Sequence, residues 1–346
     1  MRWFFLLLLL VVVAGVARLA YVMVPASGVF LTLEQTLVEN CTRVDVAPGT
    51  EDVTIHPQTR IAYVSAADRR DPMQPAGGIY AFSIEAAPTP SLVSADAPDD
   101  FRPHGISLWT GDDGAQRLFA INHPKAGGHT VEIFDVGAGG VLAYVKTVAF
   151  DEMYSPNDLV AVGPEQFYAS NDRGFVGGVL GTLEAYLALP LSNAVYWDGE
   201  QGSVVASGLA FANGVNKSPD GGTIYIAQFL GRSVGVYDRD IETGALTHVN
   251  DLPLETGVDN IEVTPDGTLY IGGNPRVLDF LAHAEDPNAI AASQVVRLDP
   301  QTGETRDVFV ATDGTLSGSS VGAVLDNTLI VGAVFEGHVL VCPLDS

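Results

Sequence analysis

The stretch NDLVAVGPEQFYASN, residues 157–171, contains the unit from which the rest of the chain is built. It begins with a polar pair, continues with an apolar run, turns at Gly163 and Pro164, and ends in a second apolar run. Short runs rich in Val, Phe and Tyr that are separated by Gly and Pro are typical of paired β-strands. The stretch therefore predicts two antiparallel strands with polar residues at the start of the first.

The same design occurs six times along the chain. At separations of 47 to 60 residues, the copies begin near Asp52, His104, Asn157, Asn213, Asn260 and Ser320. A mean spacing of about 54 residues fits one blade of a β-propeller, about 40 to 50 residues with its loops. We expect an all-β fold, a six-bladed β-propeller whose blades surround a central channel.

Two segments do not fit the blades. Residues 177–190 have the pattern of a short apolar helix that ends at Pro190, and residues 278–293 lengthen the last spacing. We interpret both as short helical decorations over one mouth of the channel. Packing at the periphery of the propeller is the alternative.

The chain is strongly acidic. Its 346 residues include 42 Asp and Glu against 17 Lys and Arg, a formal net charge of −25. Nucleic-acid-binding proteins carry a basic face, so this balance argues against a nucleic-acid partner and favours cations. An acidic surface that only keeps the protein in solution is the alternative. Nothing in the sequence indicates an oligomeric state.

The N-terminus is apolar from Trp3 to Ala17, and the apolar character resumes after Arg18 and continues to Val24. A segment of this length is either a cleaved export signal or a signal anchor that crosses the bilayer. Arg2 on the cytoplasmic side would place the rest of the chain outside the cytoplasm.

This segment divides the chain into two parts. We expect residues 1–25 to act as a signal peptide or signal anchor and residues 26–346 to form a single propeller domain. The folded part would be extracytoplasmic, either secreted or associated with a membrane through residues 3–24.

Cys41 and Cys342 are the two cysteines of the chain and lie 301 positions apart. In an exported protein such a pair favours a disulfide, and two separate buried thiols are the alternative. A disulfide here would pin the first and last blades together, at the point where a closed ring is weakest.

Residues just before equivalent inner strands come together at one mouth of a propeller. At this position the six copies carry Glu51 with Asp52, His104, Asn157 with Asp158, Asn213, Asp259 with Asn260, and Ser319 with Ser320. Any one of these residues alone is explained as a turn former before a strand. Together, carboxylate and carboxamide oxygens without cysteine are the hard ligands that calcium prefers. The repeat therefore predicts a calcium site at this mouth.

The segment GSSVG, residues 318–322, matches the G-x-S-x-G pattern of a serine nucleophile elbow. That fold needs a helix after the serine and then an acid and a histidine downstream. Here the residues that follow Ser320 continue a strand pattern to the end of the chain. We interpret the match as accidental.

Several longer motifs resemble the paraoxonase/arylesterase family in order and spacing. Between about residues 40 and 342, they are FRPHGIS (101–107), INHP (121–124), NDLVAVGP (157–164), FYASND (167–172), FANGVN (211–216) and VDNI (258–261). The resemblance implies a six-bladed propeller that holds two calcium ions, one catalytic and one structural. It also implies hydrolysis of lactones and aryl esters, so the expected partner is a small-molecule lactone or ester.

Carried over by position, the resemblance assigns the metal ligands. The catalytic calcium would be held by Glu51, Asn157, Asn213, Asp259 and Asn260. The deeper, structural calcium would be held by Asp52, Asp158 and the main-chain carbonyl of Ile106.

The resemblance also assigns a histidine pair, His104 and His123, that is proposed in the family to activate water. Two histidines on adjacent strands of one blade allow one imidazole to orient the other, and an imidazole pKa of about 6.5 suits a general base. A carboxylate such as Glu51 or Asp259 is the alternative base. We assign the remaining histidines to packing or to the surface: His56, His129, His248, His283 and His338.

The chain departs from the family at Gly273 and Asn274, where vertebrate members carry Cys-His. This difference leaves the substrate preference open. Two other functions also stay open: a gluconolactonase-like or strictosidine-synthase-like propeller, and a non-catalytic, membrane-tethered propeller that binds a partner.

Overall fold

Alternating runs of β-branched and aromatic residues form strands throughout the computed structural model, which describes residues 2–70, 73, 76–85 and 87–344. In this part of the chain the first twelve strands are β1 (Thr42–Asp45), β2 (Thr50–Ile55), β3 (Ile61–Ala66), β4 (Gly78–Ser83), β5 (Ser91–Leu92), β6 (Pro103–Thr110), β7 (Gln116–Asn122), β8 (Thr130–Val136), β9 (Leu142–Val148), β10 (Pro156–Ala161), β11 (Phe167–Asn171) and β12 (Ser192–Trp197). The strands that follow are β13 (Gly202–Leu209), β14 (Ala212–Lys217), β15 (Thr223–Gln228), β16 (Ser233–Arg239), β17 (Leu246–Pro253), β18 (Gly257–Val263), β19 (Leu269–Asn274), β20 (Ser293–Leu298), β21 (Thr305–Ala311), β22 (Ser319–Leu325), β23 (Thr328–Ala333) and β24 (His338–Pro343).

Among the described residues these strands form six sheets of four antiparallel strands each. Five sheets are built from four consecutive strands, so each is a meander that runs outward from its first strand. The innermost strands are β2, β6, β10, β14, β18 and β22. Each of them begins at one of the six predicted copies of the repeat. The predicted six-bladed β-propeller is confirmed.

The sixth sheet closes the ring with a strand from the other end of the chain. Its order is β1-β24-β23-β22, so β1 is the outermost strand of a sheet that is otherwise C-terminal. Cys41, just before β1, is disulfide-bonded to Cys342 in β24. The predicted disulfide is confirmed, but it fastens a strand within one sheet instead of joining the first blade to the last.

Neighbouring blades pack face to face through alternate side chains of their strands. Phe119 and Ile121 of β7, for example, contact Leu159 of β10 and Phe167 of β11 in one fully buried cluster. Burial of a side chain of this size contributes roughly 1.5 to 3 kcal/mol. Because similar clusters lie between the other blades, the core is a ring of interfaces around the channel.

Three α-helices accompany the strands in the described residues: α1 (Arg2–Ala26), α2 (Gly178–Leu187) and α3 (Val277–Glu285). Both α2 and α3 connect the second strand of a blade to its third. The second strand runs back toward the point where the innermost strand began, so both helices lie at the mouth that carries the repeated polar residues. The two predicted helical decorations are confirmed.

The N-terminal helix α1 is long and apolar enough to cross a membrane, a property that signal sequences share. Most of its side chains are exposed to solvent. It contacts the propeller through Arg18, whose Nε and Nη2 donate to the carbonyl oxygens of Leu187 and Ala188 at 2.8 Å each. These carbonyls lie at the C-terminus of α2.

Candidate functional site

Every innermost strand is interrupted by a β-bulge near its start. The shifts in pairing fall between Thr50 and Asp52, Pro103 and Ile106, Pro156 and Leu159, Ala212 and Val215, Val258 and Ile261, and Ser319 and Val321. Residues in a bulge do not take part in the regular hydrogen bonding between the two strands, and their side chains no longer alternate between the two faces of the sheet. The polar residues that the repeat singled out lie at these interruptions, so the same local distortion places them around the channel in each blade.

Two of the bulges contain a glycine directly after the polar residue. A Cβ at Gly105 would lie 2.3 Å from Asp158 Oδ1, and a Cβ at Gly214 would lie 2.5 Å from the carbonyl oxygen of Asp259. Any larger residue would push the adjoining innermost strands apart. These glycines let two pairs of neighbouring blades approach closely at the depth of the candidate site.

The five residues assigned to a catalytic calcium are all at least nine-tenths buried: Glu51, Asn157, Asn213, Asp259 and Asn260. Asn260 Nδ2 donates to Glu51 Oε1 at 2.9 Å, and Asn213 hydrogen bonds to Asp259. Asn274 Nδ2 donates to Asp259 Oδ2 at 3.3 Å. The structure therefore joins four of the five in two hydrogen-bonded pairs.

The side-chain oxygens of this group are incompletely satisfied. Oxygens that are buried and have no hydrogen-bond partner in the described chain are Glu51 Oε2, Asn157 Oδ1, Asn213 Oδ1 and Asn260 Oδ1. A buried polar atom without a partner costs about 1 to 3 kcal/mol, and such atoms are rare in folded proteins. Four of them on converging strands indicate a missing electropositive ligand, and hard neutral and anionic oxygens together fit calcium.

The residues assigned to a structural calcium lie further along the channel. Asp52 Oδ2 accepts from the Ile106 N–H at 2.7 Å, and Asp158 Oδ2 accepts from the Val215 N–H at 2.7 Å. Asp158 Oδ1 is buried and unpartnered. Asp52, Asp158 and Ile106 line a channel cavity of about 410 Å³. This cavity is distinct from the one that Asn157 lines at the mouth.

The buried carboxyl groups repel one another. Burial, together with the neighbouring charge of Glu51, raises the pKa of Asp52 to about 8. Burial likewise raises the pKa of Glu51, Asp158 and Asp259. Within the described residues no three His, Cys, Asp or Glu side chains have the geometry of a metal site. The candidate sites have two carboxylates each, and their other ligands are carboxamide or main-chain oxygens.

A second cavity of about 420 Å³ opens at the mouth, directly above Asn157. His104, His123 and His129 line it. The rings of His104 and His123 are stacked, with centroids 4.9 Å apart and planes 11° apart. The expected pair is therefore present, but its members pack face to face and do not hydrogen bond in the manner of a charge-relay pair.

The imidazoles are less basic than the sequence suggested. Burial, and then the charge of Arg69, lowers the pKa of His104 well below its usual value. Burial, and then His129, lowers the pKa of His123 to about 3. Both rings are consequently neutral at physiological pH.

Arg69 is a residue of the site that the repeat did not reveal. Its Nη2 donates to His104 Nδ1 at 3.2 Å. The same Nη2 lies 3.8 Å from Glu51 Oε2. The guanidinium also donates to the carbonyl oxygens of Gly49 and Pro103. Because arginine only donates, His104 Nδ1 accepts and its proton resides on Nε2, which lies 3.6 Å from Glu51 Oε1.

His129 and Arg173 are two further residues of the mouth cavity. His129, which we assigned to packing or to the surface, packs with its ring 4.6 Å from that of His123. Arg69, His123 and Arg173 each follow the second strand of a blade. The position after the second strand is therefore a second place in the repeat where residues of the cavity occur. From the sequence we considered only the position before the first strand.

The remaining sequence features have structural explanations. Ser320 is buried within β22, and its Oγ donates to the main-chain oxygen of Glu51. Between Ser320 and residue 344 the chain forms strands and turns without a helix, so the G-x-S-x-G match is not a nucleophile elbow. His56, His283 and His338 are buried in the propeller, and His248 pairs with Asp251 at the surface.

Residues 87–344 match the Arylesterase family model. Chicken (Gallus gallus) serum paraoxonase/arylesterase 2 is 35% identical over 329 residues, covering 90% of this chain and 91% of that protein. Human (Homo sapiens) serum paraoxonase/arylesterase 1 is 37% identical over 247 residues, covering 70% of this chain and 69% of that protein.

Solved propellers share the fold at much lower identity. A gluconolactonase from Xanthomonas campestris superimposes with a TM-score of 0.56 at 16% identity, covering 90% of this chain and 92% of that one. The calcium-binding protein regucalcin from Agrobacterium tumefaciens gives a TM-score of 0.52 at 13% identity, covering 90% and 94%. These likenesses establish the architecture alone.

Proposed function

The chain belongs to the arylesterase family, and we propose that it is a calcium-dependent hydrolase of lactones and aryl esters. The observation that carries the proposal is the set of four buried, unpartnered oxygens beneath a histidine-lined cavity. A cation would satisfy these oxygens, and the cavity above them would receive a small-molecule ester. Membership in the family supports this chemistry over that of the gluconolactonase-like propellers, whose likeness is confined to the fold.

Two calcium ions are part of the proposal. Glu51 and Asp259 would supply negative charge to the catalytic ion, while Asn157, Asn213 and Asn260 would supply neutral oxygens. The structural ion would lie deeper in the channel, between Asp52, Asp158 and the carbonyl of Ile106. At the upper position these residues would hold an ion that would supply electrophilic catalysis to a carbonyl group.

The chain's own residues would orient the attack of water. His104 and His123 form one wall of the cavity, and their stacking fixes both rings beside Asn157. In the proposed reaction His104 removes a proton from water, with His123 holding its ring in place. His104 can accept this proton only at Nδ1, because Nε2 already carries one. The hydrogen bond from Arg69 to Nδ1 must therefore break before the step.

Glu51 is the second candidate base, and one contact favours it. Its Oε2 is unpartnered, while its Oε1 lies 3.6 Å from the protonated Nε2 of His104. In this arrangement Glu51 would accept the proton and His104 would stabilise the carboxyl group. The two alternatives predict different effects of removing His104.

Residues 26–346 would form one catalytic domain, and residues 1–25 would export it. We propose that α1 tethers the propeller to the outer side of a membrane or is cleaved to release it. The attachment of Arg18 to the end of α2 supports retention, because cleavage would leave two carbonyl groups without their donor.

The test of the proposed function is hydrolysis with and without calcium. The full-length protein should hydrolyse phenyl acetate and a medium-chain lactone, lose both activities in EDTA, and recover them when excess Ca²⁺ is added. Magnesium serves as the control cation, because it prefers a smaller octahedral site and should not restore activity. Metal-replete, folded protein without turnover of any ester would contradict the proposal and favour a non-catalytic binding propeller.

A further inference from the structure

The wall of the mouth cavity has more arginines than carboxylates, whereas the protein as a whole is acidic. Three of the chain's 17 Lys and Arg residues line it, namely Arg69, Arg102 and Arg173, although the formal net charge is −25. The carboxylates in its wall are Asp68 and Asp172. Three guanidinium groups against two carboxylates give the wall of this cavity an excess of positive charge.

The three arginines differ in their availability. Arg69 donates to main-chain carbonyls and to His104, so its guanidinium is engaged by the protein. Arg102 pairs with Asp100 through its Nε at 2.9 Å, and only 13% of its side chain is exposed. Both contribute positive charge to the wall without presenting a free donor face.

Arg173 is held rigidly with one end open. Its Nε and Nη2 donate to the two oxygens of Asp172 at 2.8 and 2.6 Å, and its guanidinium lies over the Phe211 ring, 5.7 Å from the centroid. Its Nη1 donates to no group in the described chain, and 40% of the side chain is exposed. A guanidinium that is fixed in this way loses little entropy when it binds an anion.

The nearby acidic groups are already satisfied. Asp172 accepts from Arg173 and also from the hydroxyl of Ser155, and 11% of its side chain is exposed. Glu184, on α2, accepts from the main-chain N–H groups of Gly174 and Phe175 at 2.7 and 2.8 Å. These carboxylates hold Arg173 and its loop in position, and neither accepts a hydrogen bond from Nη1.

We infer that the mouth cavity selects lactones or esters that carry a carboxylate remote from the bond that is cleaved, and that Arg173 binds this carboxylate. The inference rests on the proposed function and names its substrate class. Asn157 and Arg173 line the same cavity of about 420 Å³, so one molecule can place its carbonyl toward the oxygen ligands and its carboxylate toward Arg173. That volume is within the range of about 300 to 1,000 Å³ found for small-molecule sites.

The experiment compares two substrates that differ only in charge. They are the mono-4-nitrophenyl ester of adipic acid and the analogue in which the free carboxylate is a primary amide. With calcium present, we expect kcat/KM for the carboxylate to exceed that for the amide by about tenfold, in line with a hydrogen bond between charged groups. Arg173→Gln should reduce this ratio to about one, and Arg173→Lys should retain part of it.

Arg43→Gln is the matched control. It removes the same charge from β1, where Arg43 is exposed and pairs with Asp45, so the substrate ratio should not change. The salt dependence of the unmodified enzyme tests the inference without any substitution. Added salt screens the interaction, so the ratio should fall as the salt concentration rises.

Two kinds of failure are distinguishable. If neither adipate ester nor phenyl acetate is hydrolysed, the proposed function fails and this inference fails with it. If phenyl acetate is hydrolysed, the inference alone is overturned by a ratio of one or less in the unmodified enzyme, or by a ratio that Arg173→Gln leaves unchanged.

Discussion

Individual side chains at the channel owe their chemistry to their neighbours. Asn260 shows this most clearly, because its Nδ2 donates to Glu51 and thereby directs its Oδ1, which is unpartnered, away from that carboxylate. In the same way, Asn274 Nδ2 donates to Asp259 Oδ2. The residue types were predictable from the repeat, but the direction of each amide follows from contacts between blades.

Substitutions of Asp259 and His104 should separate the two halves of the proposed mechanism. Asp259→Ala removes one of two carboxylates at the upper site, so we expect it to abolish measurable hydrolysis and to weaken calcium binding in calorimetry. His104→Ala should lower kcat/KM by about 10²-fold if His104 is the base, and by less if Glu51 is. A mild Asp259→Ala variant together with an unaffected His104→Ala variant would contradict the site assignment.

Among the elements, the outermost strand β1 depends most on a single covalent bond. It is short, it lies at the edge of its sheet, and its chain neighbours belong to a different blade. From the sequence we predicted the disulfide but expected it to join two blades. The repeat does not show which sheet a strand outside the pattern will join. Pairing of β1 with β24 decided that.

Replacing both cysteines by serine should destabilise the protein by about 2 to 5 kcal/mol, because the unfolded chain is no longer restrained by a long loop. Chemical denaturation under non-reducing conditions measures the change. Amide hydrogen exchange should increase first in β1 and β24, with little change in β10 and β11. Equal stability of the serine variant and the parent would show that sheet pairing alone closes the ring.

At the scale of the whole molecule, the buried acids couple stability to pH and calcium. The pKa of Asp52 is raised to about 8, and those of Glu51, Asp158 and Asp259 are also raised, so the metal-free folded state binds protons that the unfolded state releases above about pH 4. By linkage, stability then falls as pH increases toward 8. The buried histidines have the opposite effect, but only below about pH 6.5.

We therefore expect the melting temperature in EDTA to fall between about pH 6.5 and pH 8, where the carboxyl groups dominate. Lys217, whose pKa burial lowers to about 8, begins to oppose this trend only at the upper limit. Calcium requires ionised ligands, so it should raise the melting temperature more at pH 8 than at pH 6.5. A melting temperature in EDTA that rises across this range would contradict the account.

The amino-acid sequence by itself determined the number of blades, the cysteine pair and the ring of polar residues at one mouth. The first and the third depend on a period that is written into the chain, since equivalent strands must place equivalent residues at the same mouth. The cysteine pair follows from the presence of two cysteines. Only the tertiary structure decided that β1 completes the last sheet, that His104 and His123 are stacked, and that Arg69, His129 and Arg173 share their cavity. The reason is that β1 lies outside the repeat, and that the stacking of rings and the sharing of a cavity are set by packing between blades, which a repeated pattern does not specify.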